Sequence, residues 1–259
     1  MIFGAAVHDR RFLFPPRMTP AIPHEFNRRA AQYAESAPVQ REAAGWLAEW
    51  LPEKLEGPAL ELGAGTGFFT KYLAPRASLL TASDMAPNMV QAGKENLPEV
   101  EWLVSEASAP PESRDYRWIL SCSLVQWLPD PAATFHAWHR VAGPGARLVS
   151  GWFVRGTMKE FFDACPEASP FIWRDVDEWC DLLAAAGWNV QRHEAGSFVR
   201  RYENSSAMLR EVHNAGAVIP HRLGTGKLRK TMREYDRTHC SEDGVPVTFQ
   251  FLRLEAVRS

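Results

Sequence analysis

The stretch Glu61-Leu62-Gly63-Ala64-Gly65-Thr66-Gly67 decides the fold that this sequence predicts. It follows the apolar run Pro58-Ala59-Leu60 and precedes the helix-like segment Phe68-Phe69-Thr70-Lys71-Tyr72-Leu73. A strand that ends in a glycine turn and opens a helix brings backbone N–H groups close to a ligand. Asp84 follows at the end of the next predicted strand, where a carboxylate can accept both ribose hydroxyls. Together these residues predict a cofactor that contains adenosine.

The spacing of the glycines favours one such cofactor. A dinucleotide fingerprint needs a third small residue at its sixth position, where the helix packs closely on the strand. Here that position is Phe68, and the pattern is G-x-G-x-G. S-adenosylmethionine has no pyrophosphate, so it needs only a groove for its methionine tail and a carboxylate for its ribose. The sequence therefore favours this methyl donor, with a nicotinamide dinucleotide and a dehydrogenase as the minor alternative.

The composition is that of an ordinary globular protein. Of 259 residues, 46% are hydrophobic and 23% charged, and the net charge of −2 gives no global attraction to nucleic acid. No apolar run approaches the roughly 20 residues that span a bilayer, so we expect no membrane partner. Residues 1–23 lack a signal peptide and are expected to form a flexible leader.

The cysteines and histidines predict no metal site. Four cysteines occur without a C-x-x-C pair, which fits a reducing cytoplasm, so we expect a cytoplasmic protein. His136 and His139 are spaced i, i+3, but they lack a third ligand.

From residue 58 onward, strand and helix signals alternate, which is typical of βαβ units. We predict strands near residues 59–62, 78–83, 100–104, 118–122, 146–153, 190–199 and 245–256. We predict helices near residues 68–73, 87–96, 132–141 and 176–186. The predicted fold class is α/β: a Rossmann-like, mixed but mostly parallel seven-stranded sheet with helices on both faces.

Further helical patterns flank this sheet. Residues 24–52 are expected to form an N-terminal helical cap, with a second helix that begins at Pro38 and ends by Pro52. Helical segments near 206–214 and 227–237 predict a helical insertion, or lid, over 200–240 before the last strand. We expect residues 24–259 to form a single domain.

The motifs resemble those of the class I S-adenosylmethionine-dependent methyltransferases. The matching residues are Glu61 through Gly67, Ser83-Asp84-Met85 and Ser105-Glu106-Ala107. The resemblance implies that the glycine turn lies beside the methionine moiety and that Asp84 holds the ribose. It also implies that Met85 flanks the adenine and that Glu106 and Ala107 reach the adenine amino group. The full set of cofactor-binding residues that we expect is Tyr33, Gln40, Glu61, Gly63, Gly65, Gly67, Asp84, Met85, Glu106, Ala107 and Ser121.

A narrower resemblance is to the malonyl-acyl-carrier-protein O-methyltransferases of biotin synthesis. Its most specific element is Ser121-Cys122-Ser123-Leu124-Val125-Gln126-Trp127. Departures from that family's pattern are Cys122 in place of Asn, Ala64 in place of Cys, and Arg155 in place of a neutral polar residue. The other matching stretches are residues 26–33, 39–41, 156–160, 214–217 and 245–249.

This resemblance implies methylation of the free carboxylate of a malonyl thioester by S-adenosylmethionine. A carboxylate is already a nucleophile, so no general base is required, and catalysis depends on positioning and desolvation. Gln126 and Trp127 follow the fourth strand and are expected to border the methyl group. Tyr33 and Gln40 are expected to close over the cofactor from the N-terminal helices.

The expected substrate is malonyl-acyl-carrier protein, which is acidic. Arg155, Arg174 and Arg222 are candidates to contact the malonyl carboxylate, because arginine suits bidentate contact. The lid segment is rich in basic residues, and it is a candidate docking face for the carrier protein. The substrate-binding residues that we expect are Arg155, Arg222, Lys227, Arg229, Lys230 and Arg233.

Two other functions remain open at this point. The chain could be another class I methyltransferase that acts on a different carboxylate, a phenol or an amine. It could also be a catalytically silent protein that only binds the cofactor.

Overall fold

The computed structural model describes Asn27 and residues 37–112, 115–165, 169, 171–214 and 224–259. The strands are β1 (Leu55–Leu62), β2 (Ala77–Asp84), β3 (Glu101–Val104), β4 (Tyr116–Cys122), β5 (Ala142–Phe153), β6 (Trp188–Tyr202) and β7 (Val245–Arg258). They form a seven-stranded sheet in the order β3-β2-β1-β4-β5-β7-β6. Strands β1 to β5 pair in parallel, and β7 runs antiparallel to both β5 and β6. The predicted mixed, mostly parallel sheet is confirmed.

The described helices lie largely where the sequence predicts them. They are α1 (Pro38–Ala48), α2 (Thr70–Leu73), α3 (Pro87–Asn96), α4 (Pro131–Val141), α5 (Lys159–Ala164), α6 (Val176–Ala185), α7 (Ser205–Asn214) and α8 (Thr225–His239). A 3₁₀ turn spans Val125–Trp127. The sequence does not predict α5 or this turn, because such short segments show no helical period.

Proline and side-chain caps fix several helix starts. Helices α1, α3 and α4 each have proline in the first turn, where a missing N–H costs nothing. At α4 the Asp130 carboxylate accepts a hydrogen bond of 2.9 Å from the Ala133 N–H. Helix α1 starts at the expected Pro38 and ends before Pro52. The predicted leader over 1–23 and the first part of the predicted cap lie outside the described residues, apart from Asn27.

Both faces of the parallel strands are buried, because alternate residues enter different clusters. Leu60, Ile119 and Leu148 pack with α4 and α6 on one face. Ala59, Trp118, Leu120 and Val149 pack with α1, α2 and α3 on the other. Helices therefore cover both faces of the sheet, as the sequence predicts.

Strands β6 and β7 continue past the carboxyl edge of the sheet. Phe153, the last residue of β5, pairs with Phe251, while β7 extends back to Val245 and pairs with β6 as far as Tyr202. Within this extension, residues 197–202 and 245–250, the side chains of Val245, Val247 and Phe249 are buried in alternation. The extension, called the β6–β7 wall below, stands beside the edge where the parallel strands end. Helices α7 and α8 lie between its two strands in sequence.

Helix α1 is held on the sheet by one arginine. The Arg253 guanidinium lies 3.9 Å from the ring centroid of Trp46 and 4.6 Å from that of Trp50. It also pairs with Glu49 at 2.9 Å and with Glu194 at 2.6 Å, and its side chain is only 8% exposed. This contact joins α1 to β7 and β6, and so fixes the helix that carries Gln40.

Candidate functional site

A cleft opens at the carboxyl edge of the sheet, where the strand order reverses between β1 and β4. Its lining crosses the sheet from β2 to β6 and includes residues of α1 and α7. The half of the cleft near β1, β2 and β4 is called the donor side below. It is lined by Gln40, Gly63, Asp84, Met85, Cys122 and Gln126.

The glycine turn after β1 requires glycine at Gly63. Its φ of +69° is a left-handed conformation, and a Cβ there would lie 2.8 Å from the Leu124 side chain. Leu124 belongs to the loop after β4, so the turn and that loop pack against each other. The sequence alone shows no sign of this contact, because the two residues lie on different βα units.

Asp84 joins the ends of β2 and β1. Its two carboxylate oxygens accept hydrogen bonds from the N–H groups of Gly65 and Ala86, each at 2.9 Å. Burial raises the pKa of Asp84, and these N–H contacts oppose that shift. Each oxygen keeps further acceptor capacity, so this fixed carboxylate can accept hydroxyl groups of a ligand.

Glu61 is a buried acid next to the glycine turn. It is 1% exposed, and burial raises its pKa to about 8, with the charge of Asp84 acting in the same direction. Its Oε2 atom has no hydrogen-bond partner among the described residues. A buried carboxylate oxygen without a partner suits a cationic or N–H-bearing ligand group.

The loop after β4 presents Gln126 and Trp127 to the cleft. Ser123 adopts a left-handed φ of +59°, its N–H donates to the Gly151 carbonyl, and its own carbonyl accepts from Gln126 Nε2 at 2.7 Å. The Trp127 ring meets Phe171 edge-on, with 4.6 Å between centroids. Gln126 and Trp127 are therefore held in place by their neighbours and face the interior of the cleft.

Cys122 also lines the donor side. Burial raises the pKa of its thiol to about 12, and the nearby Glu61 carboxylate adds to that shift. The thiol is therefore protonated at neutral pH.

Some expected cofactor residues do not line the described cleft. Glu61, Gly65 and Gly67 lie in or beside the turn, behind Gly63. Ser121 is fully buried, and its hydroxyl has no partner among the described residues. Glu106 is exposed on the loop after β3, where Ser108 donates to it at 3.3 Å. The Ala107 carbonyl accepts from Trp138 Nε1 at 2.8 Å, and Tyr33 lies outside the described residues. The cofactor-binding roles of these residues stay predictions.

The other half of the cleft, called the acceptor side below, was not expected from the sequence. Tyr202 and Phe249 come from the β6–β7 wall, Glu211 comes from α7, and the Tyr202 hydroxyl donates to the Glu211 carboxylate at 2.7 Å. The alternation of Val247 and Phe249 predicts one buried face of a strand, but no sequence signal indicates that this face lines a cleft. The residues that form this side are Phe153, Phe171, Trp173, Tyr202, Glu211 and Phe249.

Two of the arginines expected to contact an acceptor carboxylate, Arg155 and Arg174, lie outside the cleft. Arg155 pairs with Asp175 at 2.7 Å and with Glu178 at 3.3 Å, and Arg174 lies over Trp179. Neither residue lines the cleft, and Arg222 lies outside the described residues. Among the described lining residues there is no Lys, Arg or His, whereas Asp84 and Glu211 supply two carboxylates.

Helix α8 exposes a basic face. Tyr235 and Thr231 are buried, which turns the opposite side of the helix to solvent. The exposed basic residues of α8 are Lys227, Arg229, Lys230, Arg233 and Arg237, and Arg237 pairs with the exposed Glu234.

The described part of the chain shows neither a metal-binding cluster nor a membrane-spanning helix. No group of three or more His, Cys, Asp or Glu side chains there is arranged to hold a metal ion. None of its helices has the length and apolar character needed to cross a membrane.

Comparison with known proteins identifies the family of the central segment. Residues 60–150 match the model of the methyltransferase domain. A malonyl-[acyl-carrier protein] O-methyltransferase of Brevibacillus brevis is 28% identical over 92% of this chain and 96% of that protein. A protein of the same name from a Paenibacillus species is also 28% identical, over 91% of this chain and 98% of its own length.

Solved structures agree at the level of the fold. A SAM-dependent methyltransferase from Thermotoga maritima superposes with a TM-score of 0.56 at 16% identity. The match covers 91% of this chain and 99% of that one. Residues 60–150 are thus a methyltransferase domain, within a chain that has the fold of S-adenosylmethionine-dependent methyltransferases.

Proposed function

We propose that this chain transfers a methyl group from S-adenosylmethionine to the free carboxylate of a malonyl group carried by an acidic acyl-carrier protein. The product would be a methyl ester, made in the cytoplasm for biotin synthesis. The observation that carries the proposal is similarity over nearly the whole chain to proteins named malonyl-[acyl-carrier protein] O-methyltransferase. The cleft at the carboxyl edge of a methyltransferase domain supplies the place for the reaction.

The donor side fits the proposed cofactor. Asp84 offers fixed acceptor atoms for ribose hydroxyls, and Met85 beside it offers a polarizable thioether for the adenine face. The unpartnered Glu61 oxygen lies beside the turn where the methionine ammonium group would be held. When bound, S-adenosylmethionine supplies an electrophilic methyl group on a sulfonium centre.

The chain's own residues position the acceptor. A carboxylate acceptor needs no proton removed, so neither Gln126 nor Trp127 has to act as a base. Gln126, held by the Ser123 carbonyl, and the Trp127 ring, held by Phe171, border the junction between the donor and acceptor sides. Rigid placement of this kind contributes to the rate by limiting the geometries that the acceptor can adopt.

The basic face of α8 supports a carrier protein as partner. Arg229, Lys230 and Arg233 project from the side of α8 that faces solvent, and Lys227 is exposed in its first turn, in a chain whose net charge is −2. Complementary charge accelerates association with an acidic partner and orients it. Helix α8 packs on α7, which lines the acceptor side, so a partner bound there is close to the cleft.

The direct test is incubation with S-adenosylmethionine and malonyl-carrier protein, followed by intact mass measurement. We expect a methyl ester on the malonyl group with wild type, and at least a tenfold loss with Asp84→Asn, because an amide offers one acceptor oxygen in place of two. Calorimetry of donor binding should show the same loss. Donor binding without turnover on any carboxylate thioester would favour a silent cofactor-binding protein.

A second candidate function is methylation of a small amine. It is favoured by the acceptor side, where the rings of Phe171, Trp173 and Tyr202 line the same cleft as the Glu211 carboxylate. Aromatic faces and a carboxylate together suit an ammonium group. A panel of amines assayed beside the malonyl-carrier protein separates the two, since methylation of an amine without ester formation would replace the first proposal.

A further inference from the structure

Tyr202 and Glu211 form a hydrogen-bonded pair on the acceptor side. Tyr202 ends β6, Glu211 lies on α7, and the phenol donates its single proton to the carboxylate at 2.7 Å. Burial raises the pKa of Tyr202, and the Glu211 charge adds to the shift, so the phenol keeps its proton. With that proton engaged, the pair offers only acceptor atoms to a ligand.

The surroundings of the pair are apolar. Val212, Trp173 and Phe249 line the cleft beside it, and no described lining residue is a Lys, Arg or His. Acceptor atoms in apolar surroundings gain most from a ligand that brings a hydrogen-bond donor. An N–H group is the donor that the arm of an acyl-carrier protein carries, in its two amides.

The pair and the donor side belong to one cleft. Tyr202, near the far end of the β6–β7 wall, and Cys122, at the end of β4, both line it. In an extended malonyl-pantetheine chain, the two amide nitrogens are six and ten bonds from the carboxylate carbon. These distances are about 7 and 12 Å at the rise of an extended chain. An arm lying in this cleft therefore carries its amide N–H groups away from the donor side, along the lining that includes the pair.

The helix that carries Glu211 is also joined to the helix that bears the basic residues. The Asp236 carboxylate of α8 accepts hydrogen bonds from the N–H and hydroxyl of Ser205, the first residue of α7, at 2.7 and 2.9 Å. Helix α7, which carries Glu211, is therefore tied to the helix that presents the basic residues. An arm entering from a partner on α8 would pass this pair before its malonyl group reached the donor side.

We propose that the Tyr202–Glu211 pair is the subsite for the amide N–H nearest the thioester in the arm that carries the acceptor group. The inference rests on the proposed function and deepens it, since it assigns recognition to the arm as well as to the malonyl group. The pair acts on binding and orientation, and the reacting carboxylate does not touch it.

Two matched small acceptors test the subsite. Malonyl-N-acetylcysteamine carries one amide N–H, and the S-(2-acetoxyethyl) malonyl thioester replaces that N–H with an ester oxygen. We expect wild type to prefer the amide in kcat/KM by about tenfold or more, as for a hydrogen bond to a charged group. Glu211→Gln should remove that preference by raising KM for the amide, so that kcat/KM for the amide falls to the level of the ester. Tyr202→Phe should reduce it in part, because Glu211 remains.

Glu203→Gln is the matched control, since Glu203 is exposed close to Tyr202 and does not line the cleft. It should keep the wild-type preference. The subsite is wrong if wild type treats the two thioesters alike, or if Glu211→Gln slows both equally. If wild type methylates malonyl-carrier protein but neither thioester, the arm alone is not recognised and the subsite is wrong. If it methylates none of the three, the proposed function is wrong as well.

Discussion

Glu61 is a buried acid whose ionisation destabilises the ligand-free protein, and one of its oxygens has no hydrogen-bond partner among the described residues. A carboxylate at this depth is costly to ionise, which is why burial raises its pKa from 4.5 to about 8. The position of Glu61 in the motif is readable from the sequence, and its burial and unpartnered oxygen are not. Those properties depend on how helices cover the end of β1, which involves residues far away in the chain.

The raised pKa predicts how stability depends on pH. The folded state holds the Glu61 proton more tightly than the unfolded state, so this stabilising contribution is complete below about pH 4.5 and is lost as the pH rises through about 8. Glu61→Gln has no such loss. We therefore compare the free energies of unfolding of the two proteins. The value for wild type minus the value for Glu61→Gln should fall by about 4 kcal/mol between pH 5 and pH 9, at about 1.4 kcal/mol per unit of pKa.

Urea denaturation of the ligand-free protein at pH 5, 7 and 9 measures this difference. Glu56→Gln, at an exposed position of the same strand, is the control and should follow wild type at every pH. Parallel profiles for wild type and Glu61→Gln would contradict the burial argument.

At the scale of elements, the sequence predicts the parallel part of the fold well and the acceptor side poorly. Glycine turns and proline helix starts are local signals, and they place β1, β2, α3 and α4 closely. The β6–β7 wall has no such local signal. Beyond the sheet edge its two strands pair only with each other, and in sequence they are separated by the two lid helices, α7 and α8. Tyr202, Glu211 and Phe249 meet through that long-range pairing, which no local pattern encodes.

The attachment of α1 gives a prediction at this scale. Arg253 and Arg200 both tie β-strands to α1, but the Arg253 side chain is 8% exposed and that of Arg200 is 37% exposed. A guanidinium buried between two tryptophans with paired carboxylates should be worth about 2–4 kcal/mol. An exposed ion pair should be worth less than about 1 kcal/mol.

We therefore expect Arg253→Gln to lower the free energy of unfolding by about 2–4 kcal/mol and Arg200→Gln by less than about 1 kcal/mol. Chemical denaturation measures both values. Donor binding should also weaken in the Arg253 variant, because α1 carries Gln40 to the cleft. Equal costs for the two variants would show that the tryptophan contacts contribute little.

At the scale of the whole molecule, charge is distributed unevenly. The net charge is only −2, yet the exposed face of α8 carries Lys227, Arg229, Lys230 and Arg233. This arrangement gives local attraction to an acidic partner without general attraction to polyanions. The sequence shows the basic run, and the structure adds that its helix is tied to the acceptor side.

Reversing this charge should separate docking from chemistry. We expect the triple variant Arg229→Glu, Lys230→Glu, Arg233→Glu to react with malonyl-carrier protein at least tenfold more slowly at low salt, with a weaker dependence on salt. Its rate with a small malonyl thioester should stay within about twofold of wild type. Initial rates at several ionic strengths measure both effects.

A control variant with the same change in net charge is Lys54→Glu, Lys94→Glu, Arg140→Glu, at exposed positions away from α8. It should resemble wild type with both acceptors. If the α8 variant loses activity equally with the carrier protein and the small thioester, the docking role is wrong.

Cys122 has a consequence for the durability of the protein. A thiolate is among the strongest nucleophiles in a protein and would capture a methyl group delivered beside it, inactivating the site permanently. Burial and the neighbouring Glu61 raise the pKa of this thiol to about 12, so almost none of it is ionised at neutral pH. If a methyl donor binds on the donor side as proposed, it would meet a protonated sulfur atom there, which disfavours self-alkylation of the cleft.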